Sequence, residues 1–377
     1  MDFRLSEQES MIQNMARDFA EKSVRPVAVE IDRQCEFPFE LAKEMGSLGY
    51  FGLPYPPNYG GVGAGYIGYV LVIKELCCAS MVAGAIIAVN GLTEEAIFRY
   101  GSEEQKKRFL VPLTQGMSLS SFAFTEPATG SDPTAIETRA RTAGDDYIIT
   151  GQKQFVALSP ASQITLIFAK DETDEVSAFI VETPTPGYDI RHACETMGVR
   201  GLGPSVIYLD DICLPQGNLL GEKGKGPEIM LEATSVGKLG VAAEALGIGQ
   251  GALDLSIDYA QERKAYGKSI AHLDTIKWLL AEMVSRVEAS RWLTYRTAFM
   301  RDQGANIEKE SAIAKLFTSQ AAVDITRMAM QVHGAYGYMK DMEIERLYRD
   351  AKLTEIYEEV SEIQRVIIAD SLFKEGA

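Results

Sequence analysis

The spacing of the apolar residues changes twice along the 377-residue chain, and this change constrains the fold more than any single motif does. From Leu5 to about Leu113 the spacing is helical, interrupted by the proline- and glycine-rich stretch GLPYPPNYGGVGAGY. Short β-branched or aromatic runs follow between Phe122 and Pro215: DYIITGQKQFV, ITLIFAK, VSAFIVE and SVIYLDDI. After GEKGKGP the helical spacing returns and continues to the C-terminus.

These patterns predict an α+β multidomain protein. We expect an N-terminal helical domain at residues 1–117, a central antiparallel β domain at residues 118–225 and a C-terminal four-helix-bundle-like domain at residues 226–377. The sheet should be antiparallel because no helical stretch separates its strands.

Local signals place the helices within this outline. Ser6 and Glu9 predict a capping box at the start of the first helix. The glycine cluster GIGQGA at 247–252 lies inside a helical pattern with no strand before it, which favours close helix packing over a dinucleotide-binding loop. The C-terminal helices are expected to begin near Lys238, His272, Ile307 and Met342.

Composition narrows the functional classes. A net charge of −16 argues against nucleic acid or an anionic membrane surface as partner, since both attract basic proteins. The longest mostly apolar stretch, MVAGAIIAVNGL, is shorter than the roughly 20 residues that span a bilayer. Five scattered cysteines are typical of reduced thiols in a cytoplasmic protein, and three histidines without HExxH spacing predict no metal site.

The segment LTEIYEEVSEIQR at 353–365 contains four glutamates, and the question is whether any of them takes part in catalysis. One interpretation is a single helix with a solvated acidic face. Ser361 and Gln364, however, form a capping-box pair that predicts a new helix starting at residue 361. Glu358 and Glu359 would then lie at a helix junction, either as polar loop residues or with a carboxylate turned into a cleft.

Two further stretches are candidates for ligand binding. FAFTEPATGSDP at 122–133 offers hydroxyl groups and a glycine that lets backbone N–H groups approach a ligand, although a surface turn has the same composition. QERKAYGKSI at 261–270 gathers three cations between two predicted helices of an acidic protein. Cations near a helix C-terminus also have a plain structural role.

Together and in this order, these stretches resemble the acyl-CoA dehydrogenase family over nearly the whole chain. TEP-x-x-GSD is matched at 125–132, R-x-x-F/Y-G-K at 263–268, and QVHGAYGY at 331–338 approximates Q-x-x-G-G-x-G-Y. YRDAKLTEIYEEVSEIQR resembles Y-R-D-A-K followed by I-Y-E-G-T-S-E-I-Q-R. The resemblance implies FAD bound between the β and C-terminal domains and across a subunit interface of a homotetramer or homodimer. It also implies α,β-dehydrogenation of an acyl-CoA thioester, with an electron-transferring flavoprotein as electron acceptor.

The resemblance also assigns site residues. Glu358 would be the base, with its own N–H and a flavin ribityl hydroxyl holding the thioester oxygen. The alternative base position of the family is Gly237 here, which cannot serve. The substrate-contact candidates are Ser131, Lys238 and Glu359. The FAD-contact candidates are Phe122, Phe124, Thr125, Ser131, Phe155, Ala157, Val360 and Glu362, with Arg263, Tyr266, Gln331, Gly334 and Ala335 supplied to a neighbouring subunit's cofactor.

Departures from the family pattern concentrate beside the base. Glu359 replaces a usual Gly, Val360 replaces a Thr, and Lys238 stands where Arg is common. We expect the Glu359 side chain to point away from the cleft, the alternative being that it shapes an unusual substrate pocket. The acidic stretch LTEEAI at 92–97 is expected on a solvated helix face.

Three functions remain open at this point. The first is the acyl-CoA dehydrogenase reaction, and the second is reduction of an enoyl thioester, or reaction of a carrier-protein-linked acyl group, on the same fold. The same base and flavin serve either direction, so the sequence does not set it. The third is a binding protein that has lost catalysis.

Overall fold

The N-terminal part of the chain is helical, as expected. The structure, a computed structural model, describes residues 4–193 and 195–374. The predicted capping box at Ser6 and Glu9 is confirmed, and a π-helical turn at Ala20–Val24 joins the first two helices. The helices of this part are α1 Glu7–Phe19, α2 Arg25–Gln34, α3 Phe39–Ser47, α4 Gly65–Ala79, α5 Met81–Tyr100, α6 Glu103–Gln105 and α7 Val111–Thr114.

The middle of the chain forms one sheet with the strand order β6-β7-β3-β2-β4-β5-β8 and β1 paired to β4. Three of the four runs read from the sequence coincide with β3, β4 and β5, and the fourth is the start of β7. The strands are β1 Ser120–Ala123, β2 Arg139–Ala143, β3 Asp146–Val156, β4 Ile164–Lys170, β5 Val176–Glu182, β6 Tyr188–Ala193, β7 Ser205–Pro215 and β8 Leu219–Leu220.

Most strand pairs are antiparallel, as predicted, but β4 runs parallel to both β1 and β2. The sheet is therefore mixed. The physical reason is the long connection from β1 to β4, which contains the β2–β3 hairpin and is long enough to act as a crossover.

The remainder of the chain is a bundle of long helices. They are α8 Gly226–Glu262, α9 Asp274–Asp302, α10 Glu308–His333, α11 Glu343–Leu353 and α12 Ser361–Lys374, with a short hairpin of β9 Lys264–Ala265 and β10 Lys268–Ser269 after α8. The starts of α9, α10 and α11 lie within two residues of their predicted positions. Helix α8 begins twelve residues earlier than predicted, because its glycines and small polar residues weaken the apolar pattern there.

Helix α8 is the centre of the helical core, packed against α4, α5, α9 and α10. A Cβ on Gly247 would lie 2.4 Å from the carbonyl oxygen of Lys74, and one on Gly251 would lie 2.5 Å from that of Cys78. Both distances are shorter than any van der Waals contact. The prediction that GIGQGA serves close helix packing is therefore confirmed.

The apolar stretch MVAGAIIAVNGL is part of α5, a 20-residue helix. By length and composition alone this helix could cross a membrane, so the judgement that the stretch is too short was wrong. Its most apolar 18-residue window is 94% buried inside the protein, as is usual for a core helix. The described cysteines Cys35, Cys77, Cys78 and Cys213 are free thiols, and Cys194 lies outside the described residues.

A buried ion-pair network ties α5 to the bundle. Arg301 on α9 is 6% exposed and donates hydrogen bonds to the carboxylates of Glu95 and Glu232. The Tyr66 hydroxyl donates to the other oxygen of Glu95. Glu95 is fully buried, so the expectation that LTEEAI lies on a solvated face was wrong. The pattern hid this because the buried cation that pairs with Glu95, Arg301, is 206 residues away, although Arg99 also pairs with it one turn along α5.

We predict that Arg301→Met destabilises the protein by about 1–3 kcal/mol, because it removes the buried guanidinium from Glu95 and Glu232 and leaves Glu95 with the more exposed Arg99. Urea unfolding followed by circular dichroism measures the change. Arg286→Met is the matched control, since Arg286 makes a half-exposed pair with Glu282 and its loss should cost less than about 1 kcal/mol. Equal effects of the two substitutions would contradict the prediction.

Candidate active site

The segment between α11 and α12 is a turn, as the sequence predicted. Helix α11 ends at Leu353 and α12 begins at Ser361. Glu358 and Glu359 have φ angles of 49° and 68°, in the left-handed region that favours glycine. Two successive non-glycine residues in this region require support from the surroundings.

That support comes from side chains that bind the turn's carbonyl groups. Gln364 Nε2 donates to the carbonyl oxygens of Glu358 at 3.3 Å and Glu359 at 3.1 Å. The Lys315 ammonium, on α10, donates to the same carbonyl oxygen of Glu359. The helix start at Ser361 was predicted correctly, but the predicted capping-box hydrogen bonds were wrong. Ser361 Oγ donates to the carbonyl oxygen of Glu355, and the Gln364 side chain binds the carbonyl groups of the turn.

The carboxyl group of Glu358 lies in a space left by Gly237 of α8. A Cβ on Gly237 would be 2.7 Å from Glu358 Oε2 and 2.6 Å from Cδ2 of Leu92. The position that could have held a competing base is thus the one that makes room for Glu358. Among the described residues, nothing accepts a hydrogen bond from the backbone N–H of Glu358.

Burial raises the pKa of Glu358 to about 7. The nearby Lys315 and Lys238 ammonium groups lower this pKa, whereas the Glu359 carboxylate raises it. Burial also lowers the pKa of Lys315 to about 8, against the opposing effect of Glu358. The Glu358 carboxyl group therefore changes its protonation state near neutral pH, as a general base requires.

Glu359 forms an ion pair with Lys238, the residue next to Gly237. Lys238 Nζ lies 3.0 Å from Glu359 Oε2, at an angle that does not make a hydrogen bond, and the lysine side chain is fully buried. The Glu359 side chain is 29% exposed. The carboxylates of Glu358 and Glu359 thus contact adjacent residues of α8.

The cofactor candidates of the β domain lie close to one another, around Phe168 and the end of β3. The Phe122 and Phe124 rings pack on Phe168, with centroid distances of 5.1 and 6.0 Å. The Thr125 carbonyl accepts a hydrogen bond from Gln154 N at 2.8 Å, which places the segment beside residues 155–157.

Phe155 is the strained residue of this group. Its φ is 56° and its ring is 60% exposed, while Ala157 is partly buried. An exposed aromatic ring held in a left-handed conformation is expected where it contacts a ligand. Ser131 is exposed on the same loop as Thr125.

Lys153 is a residue that the sequence reasoning missed. It is fully buried, and its Nζ lies 2.6 Å from Glu126 Oε1 and 3.2 Å from the carbonyl oxygen of Phe124. This pair fixes the TEP segment to β3. The sequence did contain a signal for this ion pair, because Lys153 falls at an inward-facing position of the alternating strand β3.

The remaining candidates lie elsewhere on the surface. Arg263 sits 5.6 Å over the Tyr336 ring, Tyr266 is 93% exposed, and Gly334 has a φ of 59°. Gln331 is exposed in the last turn of α10 and Gly334 and Ala335 are exposed just after it, whereas Val332 and His333 are buried. Lys315 and Gln331 are sixteen residues apart on α10, or about 24 Å at 1.5 Å per residue.

The residues around the Glu358 turn and the residues around the end of α10 therefore cannot hold the same end of one ligand within a single chain. Val360 lies in the junction, where its carbonyl accepts the N–H of Gln364 at 3.2 Å. Glu362 is exposed, and its Oε1 lies 4.0 Å from Nη1 of Arg365.

Comparisons with known proteins cover nearly the whole chain. The acyl-CoA dehydrogenase N-terminal domain matches residues 6–117, the middle domain 121–212 and the C-terminal domain 224–373. The chain belongs to the acyl-CoA dehydrogenase family.

Several relatives of this acyl-CoA dehydrogenase are similar over their full length. Acryloyl-CoA reductase (NADH) of Anaerotignum propionicum is 41% identical, with 99% of this chain and 96% of the relative covered. Butyryl-CoA dehydrogenase of Megasphaera elsdenii has a TM-score of 0.97 at 34% identity, covering 99% and 100% of the two chains.

Two other solved structures bear on cofactor and partner. A chain from the structure of the electron transferring flavoprotein of Acidaminococcus fermentans has a TM-score of 0.97 at 35% identity, with 99% of both chains covered. An acyl-CoA dehydrogenase complexed with FAD from Bacillus anthracis has a TM-score of 0.93 at 30% identity, covering 99% of this chain and 68% of that one.

We predict that the two members of the Glu359–Lys238 pair shift the Glu358 pKa in opposite directions. Glu359→Gln removes a negative charge and leaves Lys238 unpaired, so the Glu358 pKa should fall. Lys238→Met removes a positive charge and leaves Glu359, so it should rise. Infrared titration of the protonated carboxyl band, with the Glu358→Gln spectrum subtracted, measures both shifts.

Glu288→Gln provides the control, because Glu288 makes an exposed pair with Arg291 on α9. It should leave the titration of Glu358 unchanged. Shifts of the same sign in the two test variants would show that the pair does not act on Glu358 through its charges.

Proposed function

We propose that this acyl-CoA dehydrogenase oxidises an acyl-CoA thioester, with Glu358 as the base that removes the α-proton. The observation that carries this proposal is the placement of the Glu358 carboxyl group against Gly237, with a pKa raised by burial to about 7. A carboxylate with this pKa is a far stronger base than an ordinary surface glutamate, yet is still ionised in half of the molecules at neutral pH.

FAD is the cofactor, and it supplies the acceptor for the hydride that leaves the β-carbon. The residues present fit such a group: the exposed Phe155 ring and the Thr125 segment would lie against the flavin, and Ser131 would approach it from the loop. The exposed Arg263 and Tyr266 carry a cation and a ring for the adenine and pyrophosphate end. Arg263 lies over Tyr336, beyond the far end of α10 from Lys315, which supports the view that these residues act on the cofactor of a neighbouring subunit.

Removal of the α-proton leaves negative charge on the thioester oxygen, which must be stabilised. The backbone N–H of Glu358, which no described residue accepts, is available for this purpose and lies in the same residue as the base. The left-handed turn held by Gln364 and Lys315 therefore fixes both the proton acceptor and a donor for the oxygen.

The reverse reaction is a second candidate, favoured by the similarity to an acryloyl-CoA reductase. A carboxyl group with a pKa of about 7 is protonated in the other half of the molecules at neutral pH, and it can then return a proton to the α-carbon. The geometry serves both directions.

The redox partner, the oligomeric state and the location of the enzyme are proposals as well. An electron-transferring flavoprotein is the proposed redox partner, supported by the similarity to a chain from such a system. A homotetramer or homodimer is supported by the division of the cofactor candidates into two groups. The free thiols of the described cysteines support the cytoplasm as location.

We predict that Glu358→Gln retains FAD but slows flavin reduction by an acyl-CoA by about 10²–10⁴-fold, because the amide cannot accept the proton. Anaerobic bleaching of the visible flavin band measures the rate. Glu355→Gln, in the same motif, removes a carboxylate that pairs with Lys352 and should leave the rate unchanged. A protein that does not take up FAD, or an unimpaired Glu358→Gln variant, would overturn the proposed function.

Gly237→Ala should also slow flavin reduction although Glu358 remains. The added Cβ would collide with Glu358 Oε2 and Leu92, so the carboxyl group must move from its position. A loss of at least about tenfold is expected, since displacements of about 1 Å can cost far more. Gly217→Ala is the control, because a Cβ there meets nothing within 4 Å.

A further inference from the structure

We propose that Tyr69 closes the acyl pocket about one turn of α8 beyond Glu358, so that the enzyme accepts only short acyl groups of about four carbons or fewer. This inference rests on the proposed function and adds to it the class of acyl substrate. It is carried by the contacts of Tyr69 with two glycines and by the buried polar groups behind it.

The direction of the pocket follows from the burial of α8. Near its start, Leu231 is 40% exposed, whereas the helix is buried from Ala233 through Gly249. Gly237 holds the Glu358 carboxyl group, and the reacting α-carbon must lie beside that group. An acyl chain that continues into the protein therefore passes from Gly237 toward Gly240.

Tyr69 stands in this path. Its hydroxyl oxygen would lie 3.0 Å from a Cβ on Gly240 and 3.0 Å from a Cβ on Gly91, and its side chain is 2% exposed. The phenol thus fills the gap between α4, α5 and α8, where α5 and α8 each contribute a glycine. A Cβ at either glycine would press on the hydroxyl, and the phenol would have to shift to admit it.

The available depth is short. Gly237 and Gly240 are three residues apart on α8, or about 4.5 Å along the helix axis. Carbon–carbon bonds are about 1.5 Å long, so this depth holds only two or three bonds beyond the α-carbon. A six-carbon acyl group would have to displace the phenol.

The surroundings of Tyr69 also disfavour a longer alkyl chain. The Tyr69 hydroxyl, both carboxyl oxygens of Glu244 and Oε1 of Glu94 are buried without a hydrogen-bond partner among the described residues. Gly237, Gly240 and Glu244 share one face of α8 by their spacing of three and four residues. An alkyl end pushed past Tyr69 would meet polar atoms instead of an apolar cavity, which adds a desolvation cost to the steric one.

The test compares saturated acyl-CoA esters of three, four, six and eight carbons with the FAD-loaded wild-type enzyme. We expect flavin reduction to be fastest with three or four carbons and to fall at least roughly tenfold at six, as overpacking a filled space commonly costs. Calorimetric binding of crotonyl-CoA and 2-hexenoyl-CoA to the oxidised enzyme measures the same preference without turnover. Equal rates and affinities at four and eight carbons would overturn the inference while leaving the proposed function intact.

Tyr69→Ala should narrow the difference between four and six carbons to less than about threefold, because the space that the phenol vacates takes up the added methylenes. Tyr69→Phe retains the ring and should retain the short-chain preference. Tyr295→Ala is a matched control for loss of a buried tyrosine, because its hydroxyl is also unpartnered but it lies on α9.

Each remaining outcome has a defined meaning. If Tyr69→Ala does not bind FAD, Tyr69→Leu takes its place, and the wild-type length profile still decides the main claim. A short-chain profile that survives both truncations would show that another residue closes the pocket and would overturn the role of Tyr69. If no acyl-CoA of any length reduces the flavin, the proposed function itself fails.

Discussion

The close packing of α8 against its neighbours is the constraint on which the rest of the structure depends. Glycines along this helix let α4 approach at Gly247 and Gly251, at distances that no side chain would permit. The same absence of side chains at Gly237 and Gly240 creates the space that Glu358 and Tyr69 occupy. One helix surface thus serves both the core and the candidate site, and glycine costs helix propensity at every one of these positions.

The reactivity of the site follows from where charges are buried. Glu358 lies between an acidic neighbour, Glu359, and two lysines, and burial outweighs the lysines in setting its pKa. Lys238 is fully buried, and the desolvation of its ammonium group would be costly without an anion nearby. The Glu359 carboxylate provides that anion. The two departures from the family pattern, at 238 and 359, are therefore physically one change, because each residue compensates the charge of the other.

A turn of two left-handed glutamates is unusual, and its stabilisation links distant parts of the chain. Lys315 from α10 and Gln364 from α12 bind its carbonyl groups, so the turn keeps its shape without a glycine. The strain is compensated by the bundle around it. The geometry of the base consequently depends on the packing of α10 and α12 around the turn.

The sequence by itself determined the order of helical and β regions, three strands to the residue, and the junction that holds Glu358. These are local properties, set by periodicity, β-branched runs and capping residues. The sequence could not determine that Glu359 pairs with Lys238, that Glu95 is buried against Arg301, or that Lys153 fixes the TEP segment. Such contacts join residues separated by 27 to 206 positions, and only tertiary structure brings them together. The burial that raises the Glu358 pKa is likewise decided by the whole fold, because it depends on every helix that excludes water from the site.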